Sequence, residues 1–598
     1  MPQESRECPL LRLSFCKRLV LNRYLYFFLR GFWPCKSLLT RKSWYTFYSW
    51  KKTGNVCAEW ERSALLERTE LEEPMDHQLQ NIKDRSIKKS KNGLMKLVFG
   101  RTGVLLACLV IQLLVLLLGL RFLSQYIYVF FGGHLVFGIL ILVVIMNRMD
   151  NPAFQVSWAA LVLLFPAFGG LLYLYIELQP GTRVLSGRIA EIEEKTSGCL
   201  KQDPQILQEL QQQDPRTAQL INYIYKTEQY PVYRNGDTTY FSSGEAKFEA
   251  LKTELLAAEY FIFLEYFIVS EGYMWDSIFE ILKAKAKAGV EVRFLYDGMN
   301  ELYNLPHDFQ SQLKEAGIQC KVFSAVYPII STHYNNRDHR KIAVIDGHTA
   351  FTGGVNLADE YINRKPRFGH WKDAAVRIRG EAVRSFTFMF LKMWDITEKI
   401  EDMSSYLEVH KIPEAQQGYV MPYPANPFGK ERSAERVYLE ILNNARDYVH
   451  IMTPYLVPSH EMLQALKYAA KRGVDVKLIL PHIPDKKYAF ALAHSYYKRL
   501  IEAGVKIYEY TPGFVHSKVF VSDDIRAVVG AINLDYRSLY LHFECAAFLY
   551  AVPEIQDVEV DFRTTLTRCQ LITLFDVRHD RWTRKLAGRF LKLMAPLM

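Results

Sequence analysis

Three stretches between residues 103 and 176 contain no Asp, Glu, Lys or Arg: Gly103–Leu120, Phe122–Met146 and Ser157–Ile176. Each approaches the roughly 20 apolar residues needed to cross a hydrocarbon core, so the pattern predicts two or three transmembrane helices within 95–178. Beyond them the periodicity changes. The stretches Trp275–Lys287 and Met462–Lys471 read as amphipathic helices rich in Ala, Leu and Lys. Each leads through a Gly turn into an apolar strand, Ala288-Gly289-Val290-Glu291-Val292-Arg293-Phe294-Leu295 and Arg472-Gly473-Val474-Asp475-Val476-Lys477-Leu478-Ile479. A second echo pairs Ala316-Gly317-Ile318 with Ala503-Gly504-Val505. Helix and strand alternating twice over predict an α/β fold built by duplication. The expected order is a basic region 1–94, a membrane segment 95–178, a linker 179–218, repeat one 219–405, a linker 406–414 and repeat two 415–598.

Within each repeat one short pattern recurs. His339-Arg340-Lys341 followed by Asp346 spells His-x-Lys-x4-Asp, and so does His516-Ser517-Lys518 followed by Asp523. Gly353-Gly354-Val355-Asn356 follows the first copy and Gly530-Ala531-Ile532-Asn533 the second. The segments Lys341–Ile345 and Lys518–Val521 read as buried central strands, on which residues two apart share a face. An imidazole and an ammonium are therefore expected side by side at the start of each strand. Imidazole is a nucleophile and proton carrier near neutral pH, and lysine is a compact charge for phosphate oxygens. His339, Lys341, His516 and Lys518 are thus the expected catalytic set around one phosphorus, with Asn356 and Asn533 as neutral phosphate donors. Asp346 and Asp523 complete the motif, but an odd spacing from the His turns them to the other face, so they read as structural anchors. No metal or other cofactor is expected, because neither repeat carries a His-x-x-x-His or Cys-x-x-Cys pair.

Charge narrows the substrate class. The net charge of +10 lies in the first 101 residues. The repeats are close to neutral, which argues against a nucleic-acid partner. Lys83, Arg85, Lys88, Lys89, Lys91, Lys96 and Arg101 precede the first apolar stretch, placing that end in the cytoplasm by the positive-inside rule. Three crossings then put the repeats outside and two put them inside. Residues 1–74 are rich in Trp, Tyr, Phe, Arg and Cys without clean periodicity, and translation from Met75 or Met95 is the expectation for the native chain. Nine cysteines are scattered without a pairing rhythm, so no disulfide framework is expected.

The duplicated motif resembles that of the phospholipase D superfamily. Within it the chain is similar to bacterial cardiolipin synthases through Gly353–Tyr361, Phe368–Asp373, Thr453–Pro458, Asn533–Ser538 and Phe543-Glu544. The likeness runs from about residue 95 to the end. It implies a duplicated phospholipase D-type fold preceded by transmembrane helices, in a multi-pass protein of the bacterial cell membrane. It also implies transfer between two phosphatidylglycerol molecules, giving cardiolipin and glycerol through a phosphohistidine. In such proteins an acidic residue about thirty positions after each motif His orients its ring, which falls here on Asp373 for His339 and Glu544 for His516. His333 and His370 are expected to be bystanders. The rival readings are a phospholipase D-type hydrolase, a phosphatidylserine synthase and a non-catalytic membrane scaffold.

Overall fold

The computed structural model describes residues 127–597 except 149–150, 179, 325–335, 399 and 410–412, together with 110–114, 117–118 and 121. The expectations for the region 1–94, the start site, the basic cluster before the first apolar stretch and His333 lie outside the described residues. So does most of Gly103–Leu120.

Two sheets form the frame. In spatial order the first has seven strands: Asp237–Phe241, Ala375–Arg379, Thr349–Gly353, Lys341–Ile345, Phe261–Tyr266, Glu291–Asp297 and Gln319–Phe323. The second has nine: Tyr233–Arg234, Tyr419–Ala425, Glu544–Tyr550, Arg526–Gly530, Val519–Ser522, Tyr448–Met452, Asp475–Pro481, Lys506–Tyr510 and Cys569–Ile572. Removing its two outermost strands leaves seven whose order and directions match the first sheet: antiparallel to the fifth strand, parallel after it. The duplication read from the sequence is thus repeated strand for strand.

Each motif strand is central, so both its faces are buried. Ile342 and Val344 point into a core that also holds Val519, Val521, Val529, Ala547 and Leu549, joining the two repeats. Ala343 and Ile345 point into the outer core of repeat one, and Phe520 into that of repeat two. Burying such a side chain contributes about 1.5–3 kcal/mol, so a seam lined from both sheets fixes the repeats against each other.

Two expectations are corrected. The stretch 179–218 is no linker: it carries helices Pro180–Lys195 and Pro204–Gln213 and the start of Pro215–Glu228. Asp203 and Asp214 cap the last two and Pro stands at their first turns, a sequence signal for helix starts. Ile206, Leu210 and Ala218 enter the core of repeat two. The third apolar stretch is not one helix either. Helix α1 is Ile127–Met146, but Ser157–Ile176 is divided between α2, Pro152–Leu164, and α3, Pro166–Glu177. Pro166 lacks an N–H and pushes Phe165 out of the helical region, to φ −140° and ψ 75°. At 13 and 12 residues these helices are about 18–20 Å long. Among the described residues no helix is long and apolar enough to cross a membrane. The three helices pack through Ile141, Ile145, Val162 and Tyr173, and leave Leu135, Leu140, Leu163, Leu164 and Leu171 exposed. They join repeat two where Phe154 packs edge-on to Tyr536 and Tyr540 and Asn151 Nδ2 donates to the Tyr540 hydroxyl at 2.9 Å.

Candidate active site

The two motif histidines lie just before their strands, in extended lead-ins that pair with the opposite repeat. Asp338 bridges in parallel to Phe543, and the His339 N–H donates to the Phe543 carbonyl at 2.9 Å. The strand His370–Lys372 runs parallel to Gly513–Val515, with Lys372 opposite Val515, and the His516 N–H donates to the Lys372 carbonyl at 2.7 Å. In parallel register the next residues along are neighbours, which sets His339 beside Glu544 and Asp373 beside His516. The hydrogen bonds follow: His339 Nδ1 to Glu544 Oε1 at 2.8 Å, and His516 Nδ1 to Asp373 Oδ2 at 2.7 Å. The orienting carboxylates expected within each repeat are therefore exchanged between repeats.

Both carboxylates are fully buried, and each pairing leaves the Nε2 of its imidazole without a hydrogen bond to another described residue. Lys341 and Lys518 turn their Nζ atoms back onto the carbonyls of His339 and His516. This holds each ammonium against its own histidine with further donors to spare. Gly354 explains one glycine of the motif. A Cβ there would stand 2.0 Å from Asp373 Oδ1 and 3.0 Å from the His516 carbonyl.

Electrostatically the set is one cluster. Burial pushes His516 down to about 4, reinforced by the Lys518 charge, and Lys341 adds to it. Burial lowers His339 well below the usual imidazole range, followed by Lys341, His542, Lys518 and His516. Both rings are therefore neutral near pH 7, as a nucleophile must be. Burial lowers Lys518 to about 7 and Lys341 to about 8, opposed in both by Asp373 and Glu544. Burial raises the Asp373 carboxyl, but the His516 and Lys518 charges and the Ala374 N–H outweigh it and hold it below the usual range. Glu544 is driven above that range by burial, against the pull of Lys341.

The other expected residues divide. Asp346 accepts the backbone N–H groups of Glu259, Tyr260 and Phe261 at 2.8, 2.7 and 2.9 Å. Asp523 accepts those of Arg446, Asp447 and Tyr448, each at 2.9 Å. Both sit at the far ends of the motif strands in the left-handed region, φ +51° and +53°. They tie each motif strand to the start of its neighbour. Asn356 is engaged, accepting from the Ile268 N–H at 2.9 Å and donating to the Tyr361 hydroxyl at 2.8 Å, whereas Asn533 Oδ1 is buried without a partner. His370 bonds the Tyr510 hydroxyl at 3.0 Å rather than any motif residue.

Two features escaped sequence reading. His542 sets its ring centroid 5.6 Å from that of His339, tilted by 37°, and neither of its buried nitrogens has a hydrogen-bond partner. His339, His542 and Glu544 bring donor atoms within 4.8 Å of one another, the one such grouping among the described residues, although Nδ1 of His339 is already bonded to Glu544. The motif histidine is also flanked by buried ion pairs, Arg340 with Glu265 at 2.7 Å and Arg337 with Asp297 at 3.2 Å. Glu265, a lone charge inside the apolar strand Phe261–Tyr266, was the available signal.

Paired sheets of one topology, meeting at two His–Lys sets with exchanged carboxylates, define a phospholipase D-like fold. The family described as cardiolipin synthase, PLD-like domain, matches residues 251–394 and 438–566, one segment in each repeat. An uncharacterized protein of Streptococcus mutans is 49% identical over 77% of this chain and 99% of its own length. A cardiolipin synthase of Geobacillus kaustophilus is 35% identical over 77% of this chain and 92% of its own. The solved phosphatidylserine synthase of Haemophilus influenzae aligns over 64% of this chain and 98% of its own, at 13% identity and a TM-score of 0.48. The chain belongs to the cardiolipin synthase family of phospholipase D-like proteins.

Proposed function

We propose that this protein is a cardiolipin synthase, transferring a phosphatidyl group from one phosphatidylglycerol to another. The observation that carries the reading is the pair of neutral imidazoles, each anchored through Nδ1 by the other repeat's carboxylate within one buried cluster. Nε2 of one histidine attacks phosphorus; the bond to the glycerol oxygen breaks and the other histidine, whose imidazole–carboxyl pair holds one more proton than the nucleophile's pair, delivers that proton from Nε2 to the departing glycerol. That second histidine then accepts the proton of the primary hydroxyl of another phosphatidylglycerol as it attacks phosphorus and frees the first nitrogen. Lys341 and Lys518, with Asn356 and Asn533, hold the phosphate oxygens where charge develops. The apolar helices attach the repeats to the bacterial cell membrane, residues 103–120 and 122–146 being the proposed crossings, which brings an alcohol-bearing lipid rather than water to the intermediate.

Membranes containing the protein, given phosphatidylglycerol labelled in both phosphate and headgroup, are expected to yield cardiolipin and glycerol in equal amounts. Phosphatidic acid as the main product marks a hydrolase, and no turnover marks a scaffold; either result rejects the proposal. The cluster also sets a pH dependence. Lys518 carries its charge below about 7 and loses it above, so kcat/KM for phosphatidylglycerol is expected to fall as pH rises through that value. Lys518→Arg keeps the charge at every working pH, and a pH–rate profile should show that limb removed.

A further inference from the structure

The C-terminal helix offers a surface that the catalytic reading does not use. Helices α4, Lys487–Ile501, and α5, Trp582–Met594, pack side by side, and at Gly588 the contact is so close that a Cβ would stand 2.5 Å from the Ala491 carbonyl. Arg584 pairs with Asp580 at 3.1 Å, and Asp580 in turn meets His494 of α4 at 3.2 Å. One face of α5 is thus fixed to the protein. On the opposite face Trp582, Leu586 and Phe590, spaced by four, form a single stripe whose members are 73, 57 and 68% exposed. Phe575, just before the helix, is exposed as well. Basic residues run along one edge of the stripe: Lys585 and Arg589.

Three large apolar side chains held outward on a rigid helix expose area that a folded chain ordinarily buries. Both the charge and the neighbourhood say what covers it. A Trp–Leu–Phe face beside Lys and Arg is the composition of a helix lying in a membrane interface, where the apolar side enters the acyl boundary and the cations meet anionic headgroups. The helix also touches α2: the Ser157 hydroxyl donates to the Leu593 carbonyl at 2.7 Å, and Leu163 and Leu164 of α2 are exposed. The stripe therefore lies on a helix joined directly to the apolar helices 127–177, which leave their own leucines exposed.

We propose that α5 is an interfacial anchor, lying on an anionic lipid surface through Trp582, Leu586 and Phe590 with Lys585 and Arg589 on the headgroups. The anchor fixes the distance and tilt of the repeats over the bilayer from a point remote in sequence from the apolar helices.

The test places a benzophenone amino acid at Phe590 of the full-length protein, reconstituted in vesicles of phosphatidylserine and phosphatidylcholine and irradiated. A phospholipid adduct on the peptide carrying residue 590 is expected. No adduct, or one to a second copy of the chain, overturns the proposal. In parallel, Leu586→Glu with Phe590→Glu alters exposed positions only, so melting is expected to be unchanged. At a fixed phosphatidylglycerol content, the mole fraction of phosphatidylserine needed for half-maximal turnover should rise at least about threefold, and an unchanged requirement counts against the anchor. The photolabel needs no turnover, so it decides the anchor even if the reaction proves to be hydrolysis.

Discussion

His339→Ala is expected to reduce phosphatidyl transfer to background, and His516→Ala to do the same. The two motif sets come from a duplication, and two independent sites would each survive the loss of the other, leaving about half the activity. A shared site behaves otherwise, because removing either the attacking group or the proton carrier stops the same cycle. A general acid–base group alone contributes about 10²–10⁴-fold, and loss of a nucleophile in a concerted set costs at least as much, so a fall of about 10⁴-fold or more is expected for each variant. The neutrality of both rings and the appearance of each set among the charges acting on the other follow from their common burial. Initial rates of cardiolipin formation, with melting curves to establish folding, provide the measurement. Retention of tens of per cent in either variant would show that the repeats work separately.

The second expectation concerns the exchanged carboxylates. Asp373→Asn replaces the carboxylate that orients His516 at 2.7 Å with an amide that keeps one oxygen and adds an NH2 donor, although Asp373 belongs to repeat one, and Glu544→Gln does the same to the partner of His339. An imidazole left in the wrong tautomer or orientation costs on the order of 10²–10⁴-fold in kcat. Activity alone cannot say which histidine each acid serves, but stability can. In a double-mutant cycle read by denaturant unfolding, Asp373→Asn is expected to couple with His516→Ala by about 0.5–3 kcal/mol. With His339→Ala it should be additive to within about 0.5 kcal/mol. The reverse pattern, Asp373 coupled to His339, would refute the exchange.

That exchange shows where sequence reading stops. Local chemistry was legible: the His-x-Lys spacing, the β-branched strands after it and the Gly turns all lie within about twenty residues. The duplicated α/β architecture, too, followed from helix–strand alternation occurring twice, but the strand order did not. The pairing of acids with histidines depends instead on two parallel registers, Asp338 with Phe543 and Lys372 with Val515, between segments far apart in the chain. No pattern inside either segment encodes it. The family resemblance implied the acid of the same repeat in each case, and packing between the repeats chose the other. Asp346 and Asp523 were legible as anchors because an odd spacing turned them away, and their three backbone bonds each agree. Pro166 and the Asp-Pro starts at 203–204 and 214–215 were visible signals that hydropathy and a search for repeats passed over.

In a shared site one phosphorus visits one histidine of the pair. Rapid quenching of the reaction with phosphate-labelled phosphatidylglycerol, followed by peptide mapping, tests it directly. At most one phosphatidyl group per chain is expected, on either the His339 or the His516 peptide, and it should discharge into cardiolipin when unlabelled phosphatidylglycerol is added. Label approaching two groups per chain, divided between both peptides, would contradict it.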